Sequence, residues 1–166
     1  MTSIVVMGVA GCGKSTFGQA LAAQLNLPWI EGDDFHSSAS RSKMQAGIPL
    51  DDADRAGWLQ TLVQQIHHHP QGCVIGCSAL KRSYRDTLRQ AGDLRFAYLR
   101  LTREESQRRV SSREGHFFSD TLVESQFATL EEPQSESDVI TLDAAQVTTL
   151  LIQHTLTQLR GSANQA

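Results

Sequence analysis

Short apolar runs alternate along the chain with longer stretches in which apolar residues return every three or four positions. That alternation predicts an α/β protein, a mostly parallel sheet of about five strands covered by helices on both faces in three α/β/α layers. Ser3 to Met7 reads as a buried strand, followed by a glycine-rich loop and a helix marked by Phe17, Leu21 and Leu25. Pro28 to Ile30 opens a second strand. Trp58, Leu59, Leu62, Val63 and Ile66 trace one face of a helix that Asp51 or Asp52 can cap and that ends before Pro70. Cys73 to Cys77 forms the third strand, and Ser78 can cap a helix running through Tyr84 and Leu88. Arg95 to Leu101 alternates as a fourth strand, after which Thr102 and Glu105 fit a capping box. A short helix near Leu122 to Leu130, a strand at Val139 to Leu142 and a helix carrying Val147, Leu150, Leu151, Leu156 and Leu159 follow. The tail after Arg160 is expected to fray. Ser111 to Asp120 has no period that would bury its two adjacent aromatics, and it reads as a mobile loop. With no repeat and no linker composition, residues 1–166 are expected to form one domain.

Composition narrows the function more than the fold. Fifteen basic against eighteen acidic residues give a formal charge of -3, which argues against a general nucleic-acid binder. Any anion site must be local. No apolar run approaches the roughly 18 residues of a membrane span, and Ile4 to Met7 lacks the basic flank and cleavage site of a leader, so the cytoplasm is expected. Cys12, Cys73 and Cys77 make no paired framework and read as reduced thiols. Only three of the basic residues are lysines, Lys14, Lys43 and Lys81, and each falls in a segment of chemical interest.

The first such segment runs Gly8, Val9, Ala10, Gly11, Cys12, Gly13, Lys14, Ser15, Thr16, matching Gly-x4-Gly-Lys-Ser between a predicted strand and a predicted helix. Glycines let successive N–H groups turn inward around a phosphate at the positive end of the helix. Lys14 adds a charge for the outer phosphates of ATP, and Ser15 a hydroxyl for the Mg²⁺ that accompanies it. A GTP switch is disfavoured, because neither Asn26 nor Asn164 is followed by the Lys that guanine-reading segments carry. Cys12 lies among the loop amides, which favour its thiolate, so reaction with thiol reagents is expected unless nucleotide covers it.

Carboxylates follow the second strand in Glu31-Gly-Asp-Asp-Phe-His36, at the strand end where open α/β sheets hold ligands. Asp33 suits a base that orients an acceptor hydroxyl and takes its proton late, and Glu31 suits ordering water around Mg²⁺. Arg55 and Lys81 are placed to receive an anionic acceptor, and Arg55 has the planar fork that pairs with a carboxylate. His36, Lys43 and Arg85 are further candidates for that pocket. Residues from about 109 to 120 read as a lid in which Arg109 and Arg113 approach the nucleotide and His116 the acceptor. His67 to His69 lie where a helix ends, which suits imidazoles without any metal.

Together these segments resemble the bacterial-type gluconokinases, small relatives of shikimate and adenylate kinases. The resemblance rests on Gly8 to Thr16, on Gly32-Asp33 through His36, and on Lys43-Met44 with Gly47 to Leu50, Asp54-Arg55 and Trp58-Leu59. It continues through Cys77 to Lys81 with Tyr84-Arg-Asp86, Arg113 with Gly115-His-Phe117, and Ser125-Gln-Phe127 with Leu130-Glu131 and Pro133. It implies a P-loop kinase fold with a mobile lid, often dimeric, that moves the γ-phosphoryl of ATP to the 6-hydroxyl of D-gluconate. Glu31 departs from it, standing where the family more usually has Asp. Two other functions share the phosphate loop: a shikimate-type or other small-metabolite kinase, and a nucleotide sensor that transfers nothing.

Overall fold

A computed structural model describes residues 2–112 and 120–165. Strands β1 (Ser3–Met7), β2 (Trp29–Glu31), β3 (Val74–Gly76), β4 (Leu94–Arg100) and β5 (Val139–Asp143) pair in parallel, in the order β2-β3-β1-β4-β5. The helices are α1 (Lys14–Leu25), α2 (Ser38–Gln45), α3 (Asp52–His67), α4 (Arg82–Arg89), α5 (Arg103–Ser111), α6 (Asp120–Thr129) and α7 (Thr148–Ala163), with a 3-10 turn at Gly32–Phe35. None of the described helices is long and apolar enough to cross a membrane.

The uninterrupted apolar run of β1 follows from burial on both faces of the sheet. Val5 and Met7 face one core with Trp58, Leu62, Ile75 and Phe96, beneath α3 and α4. Ile4 and Val6 face the other with Phe17, Leu21, Val74 and Leu142, beneath α1 and α7. The chain leaves central β1 towards β2 and β3 on one side, and only later towards β4 and β5 on the other. The crevice at that reversal, outside the carboxyl ends of the strands, is where such sheets bind ligands.

Most predicted elements are present, with four local differences. Helix α4 starts at Arg82, not after Ser78: Ala79 takes a left-handed φ of 47°, and the Arg82 N–H donates to the Glu131 carboxylate at 2.8 Å instead of to a local cap. Thr102 caps α5 through the Glu105 N–H, but the Glu105 carboxylate turns to Arg108 and Arg109, so the box is half formed. Helix α7 continues to Ala163, past the expected fraying point. Helix α2 was not predicted, because among its residues only Ser40 is buried and its sequence carries no apolar stripe. The loop expected at Ser111 to Asp120 is bounded by the end of α5 and the start of α6, and residues 113–119 lie outside those described.

The Gln65 carbonyl accepts from the His69 ring at 2.7 Å, closing the end of α3, and no group of three or more metal-ligating side chains occurs among the described residues. Cys73 and Cys77 are buried, and burial pushes both thiols up, Cys77 to about 12.

Candidate active site

The phosphate loop joins β1 to α1 in the crevice. Gly8, Gly11 and Gly13 all take positive φ, and Gly13 is the left-handed residue that opens α1. At Gly8 a side chain is also excluded by contact, since a Cβ would lie 2.7 Å from Cys12 Sγ and 2.8 Å from the Leu99 carbonyl oxygen. Cys12 is 3 % exposed and packs in the core with Val9 and Phe17, so the reagent access that its position in the loop suggests is closed. Lys14 folds over the loop, donating to the carbonyls of Gly8 at 2.9 Å and Val9 at 3.2 Å.

Side chains from the helices behind the loop hold its tip. Ser106 of α5 donates to the Ala10 carbonyl at 2.7 Å, and the Ala10 N–H donates to Gln126 Oε1 of α6, also at 2.7 Å. Arg109 donates to the Gly11 carbonyl at 3.1 Å, to the Ala144 carbonyl at 3.0 Å and to Glu105 at 3.0 Å. Arg109 therefore ties the loop to the turn after β5. Ser106 and Gln126 were not singled out by sequence. Gln126 had a signal in the Ser125-Gln-Phe127 block, but no chemistry identified its role.

Across the crevice, the turn after β2 carries the carboxylates. Gly32 packs so closely on the Gly76 carbonyl that a Cβ would collide with it, and its own carbonyl accepts from Trp58 Nε1 at 2.8 Å. His36 stacks on Trp58 with centroids 4.1 Å apart, and its Nε2 lies 3.6 Å from Asp33 Oδ1. The cleft walls disfavour charge on Asp33, yet His36 and the charges of Lys14 and Arg41 outweigh them and hold its pKa below the usual carboxylate value. Asp33 thus favours its ionised form. Glu31 behaves oppositely. Burial raises its pKa, with Asp33 and Asp34 pushing the same way, although Ser15 donates to its Oε2 at 2.5 Å.

Loop and turn face one cleft of about 160 Å³, whose walls include Gly11, Lys14, Glu31, Asp33, His36 and Arg55. Arg55 is fixed by donation to the Leu50 carbonyl at 2.7 Å and approaches the Tyr84 hydroxyl at 3.4 Å. Tyr84 donates to Asp52, which also receives Lys81 at 3.0 Å, so Lys81 is paired with Asp52 and, against expectation, is not among the cleft walls. Lys43 is held by Asp54 at 2.8 Å and is not among the cleft walls.

Arg85 requires a correction. It is 1 % exposed and forms a two-pronged pair with Glu136, at 3.0 and 2.7 Å, while donating to the carbonyls of Ala79, Leu80 and Glu131. Its donors face the interior, so it shapes the connection from β3 to α4 and does not reach an acceptor. Arg113 and His116 lie outside the described residues.

Ser15 and Glu31 offer adjacent hard oxygen donors at the phosphate loop. This suits an ion held by one or two protein oxygens plus phosphate and water, as Mg²⁺ prefers, and not a full protein cage.

The family model described as shikimate kinase matches residues 10–157. The chain is 44% identical over 149 residues to a probable gluconokinase of Schizosaccharomyces pombe (strain 972), covering 83% of this chain and 77% of that protein. It is 43% identical over 143 residues to the gluconokinase of Gluconobacter oxydans (strain 621H), covering 82% and 79%. The crystal structure of a gluconokinase from Sinorhizobium meliloti 1021 superposes with a TM-score of 0.91 at 40% identity, covering 99% of this chain and 94% of that one.

The opposed carboxylates yield a test. Because the folded state raises the Glu31 pKa, it holds that proton more tightly than the unfolded chain, and the associated stability is present at acid pH and lost as pH rises through the folded pKa. Glu31→Gln keeps an acceptor for Ser15 without the charge. It is expected to raise the melting temperature of ligand-free protein by about 1–3 °C at pH 7. Calorimetry should show the difference disappearing once the pH falls below the ordinary glutamate value.

Proposed function

The chain belongs to the shikimate kinase-like family of phosphate-loop enzymes, among its gluconokinases, and we propose from that premise how its residues perform the reaction. The reaction is transfer of the γ-phosphoryl of ATP to the 6-hydroxyl of D-gluconate, giving 6-phospho-D-gluconate and ADP. The observation that carries the residue assignment is the single cleft in which Lys14 and the loop amides face Asp33 and Arg55. A shikimate-type acceptor fits the family model equally, but the high identity to gluconokinases over most of the chain favours gluconate.

In this reading the amides from Gly11 to Thr16 and Lys14 hold the phosphates, drawing on the dipole of α1. Arg109 borders the nucleotide. Arg55 receives the carboxylate of gluconate through its unengaged donors, with His36 bordering the hydroxyls, and Lys81, retained on its sequence setting, adds positive charge nearby. Lys43 acts indirectly, by bracing Asp54 at the start of α3. The O6–P bond forms as the bond from phosphorus to the ADP oxygen breaks, and the 6-hydroxyl proton passes to Asp33. The transition state is loose, so Asp33 serves chiefly to orient the hydroxyl and needs no raised pKa. Ser15 and Glu31 would hold Mg²⁺, directly or through water, and the ion would neutralise charge on the phosphate oxygens. Arg113 is retained for the transferring group and His116 for the acceptor on their sequence setting, within a lid at about 109–120 of one domain spanning 1–166. The family resemblance supports a homodimer working in the cytoplasm.

Measurement of ADP release with gluconate, shikimate, other sugar acids and nucleoside monophosphates tests the acceptor. Gluconate should give the highest kcat/KM, with the phosphorylated acid confirmed by mass spectrometry. An idle gluconate reaction beside an active alternative would replace the acceptor, and ATP binding without any transfer would make the protein a sensor. Asp33→Asn should lower kcat by about 10²–10⁴-fold with ATP affinity retained. Arg55→Lys should instead raise the KM for gluconate by roughly tenfold or more, because an ammonium cannot copy the fork. Full turnover by the first variant, or unchanged gluconate saturation in the second, would reassign those roles.

A further inference from the structure

Helix α6 brings Leu122, Ser125 and Gln126 to the cleft at the spacing of one helical face, while Val123 and Phe127 pack inward. The Gln126 carboxamide has two unlike ends, and its neighbour distinguishes them. Ala10 N–H is a donor, so the end 2.7 Å away must be the oxygen, and the NH₂ group is thereby the other end. Among the described residues that NH₂ group has no hydrogen-bond partner, although Gln126 lines the cleft with Gly11, Lys14 and Asp33. The Ala10 carbonyl is simultaneously taken by Ser106 at 2.7 Å. Residue 10 is therefore gripped at both polar groups, and the amide that grips its nitrogen keeps two donors in reserve.

We propose that Gln126 binds the nucleotide: its Oε1 holds the phosphate loop while its Nε2 donates to an oxygen of the terminal phosphoryl group of ATP. The proposal rests on the kinase reading above and adds a contact to it. An anionic oxygen is the partner that a free NH₂ beside a phosphate loop fits, and two such groups enter the cleft, the phosphoryl and the acceptor carboxylate. The phosphoryl is favoured because the amide is anchored on the loop itself, whereas Arg55 already serves the carboxylate from the other wall. A neutral donor there distinguishes ATP from ADP, since only the third phosphate reaches it.

Gln126→Glu separates the two ends of the side chain. A carboxylate still accepts from Ala10 N–H, so the clamp persists, but it presents a negative oxygen where the NH₂ had donated. Titration calorimetry in magnesium buffer without acceptor should find ATP weakened about ten- to hundredfold and ADP changed by less than about threefold. The melting temperature should stay within about 2 °C of the unsubstituted protein, whereas Gln126→Ala, which removes both ends, should lower it further. Unchanged ATP affinity in the Glu variant, equal losses for ATP and ADP, or a melting temperature as low as that of the Ala variant would each overturn the assignment. So would an effect confined to the KM for gluconate, which would move the donor to the acceptor. Because the titrations contain no acceptor, inactivity of the unsubstituted protein towards gluconate would count against the proposed reaction alone.

Discussion

The site depends on backbone N–H groups that secondary structure leaves unused. A helix begins with donors that have no partner within it, and α1 begins at the carboxyl end of the central strand, inside the crevice. Those donors converge on a phosphate only if the loop before them follows a path closed to most residues. Gly8 meets that demand by leaving room for Cys12 and the Leu99 carbonyl, and Gly13 by opening the helix from a left-handed conformation. Ser106, Arg109 and Gln126 then fix the loop tip from behind. Preorganisation of this kind stabilises charge without reorganising at the moment of transfer.

The acceptor side is built on a different constraint, the close approach of β2 to β3. Gly32 sits against Gly76, and Trp58 ties its carbonyl to α3, which carries Arg55. The position of Asp33 relative to Arg55 is thus set by packing in the core and not by a flexible loop. The two carboxylates of this turn are tuned apart. His36 and nearby cations hold Asp33 towards its ionised form, while burial disfavours charge on Glu31.

Much of this was legible in sequence because it rests on local patterns. The buried β1 run, the glycine spacing up to Lys14, and the apolar face of α3 each reflect short-range chemistry that one chain segment expresses by itself. The failures were long-range. Arg85 looked like a pocket residue because it follows a strand end, but its partner Glu136 is fifty-one positions away and draws it inward. Helix α4 starts late because its first N–H is met by Glu131, again distant in sequence. Gln126 acquires meaning only when α6 packs against the phosphate loop, and α2 escaped notice because its short polar sequence has no stripe to read.

For phosphoryl transfer the proposed arrangement needs the terminal phosphate of ATP and the 6-hydroxyl of gluconate face to face in the cleft, with Asp33 at the hydroxyl. A crystal structure with a non-hydrolysable ATP analogue, magnesium and D-gluconate measures this directly. O6 is expected about 3–3.5 Å from the terminal phosphorus, in line with the bond to be broken and within hydrogen-bond reach of Asp33. Gluconate seated away from the triphosphate, or O6 turned from Asp33 towards solvent, would contradict it.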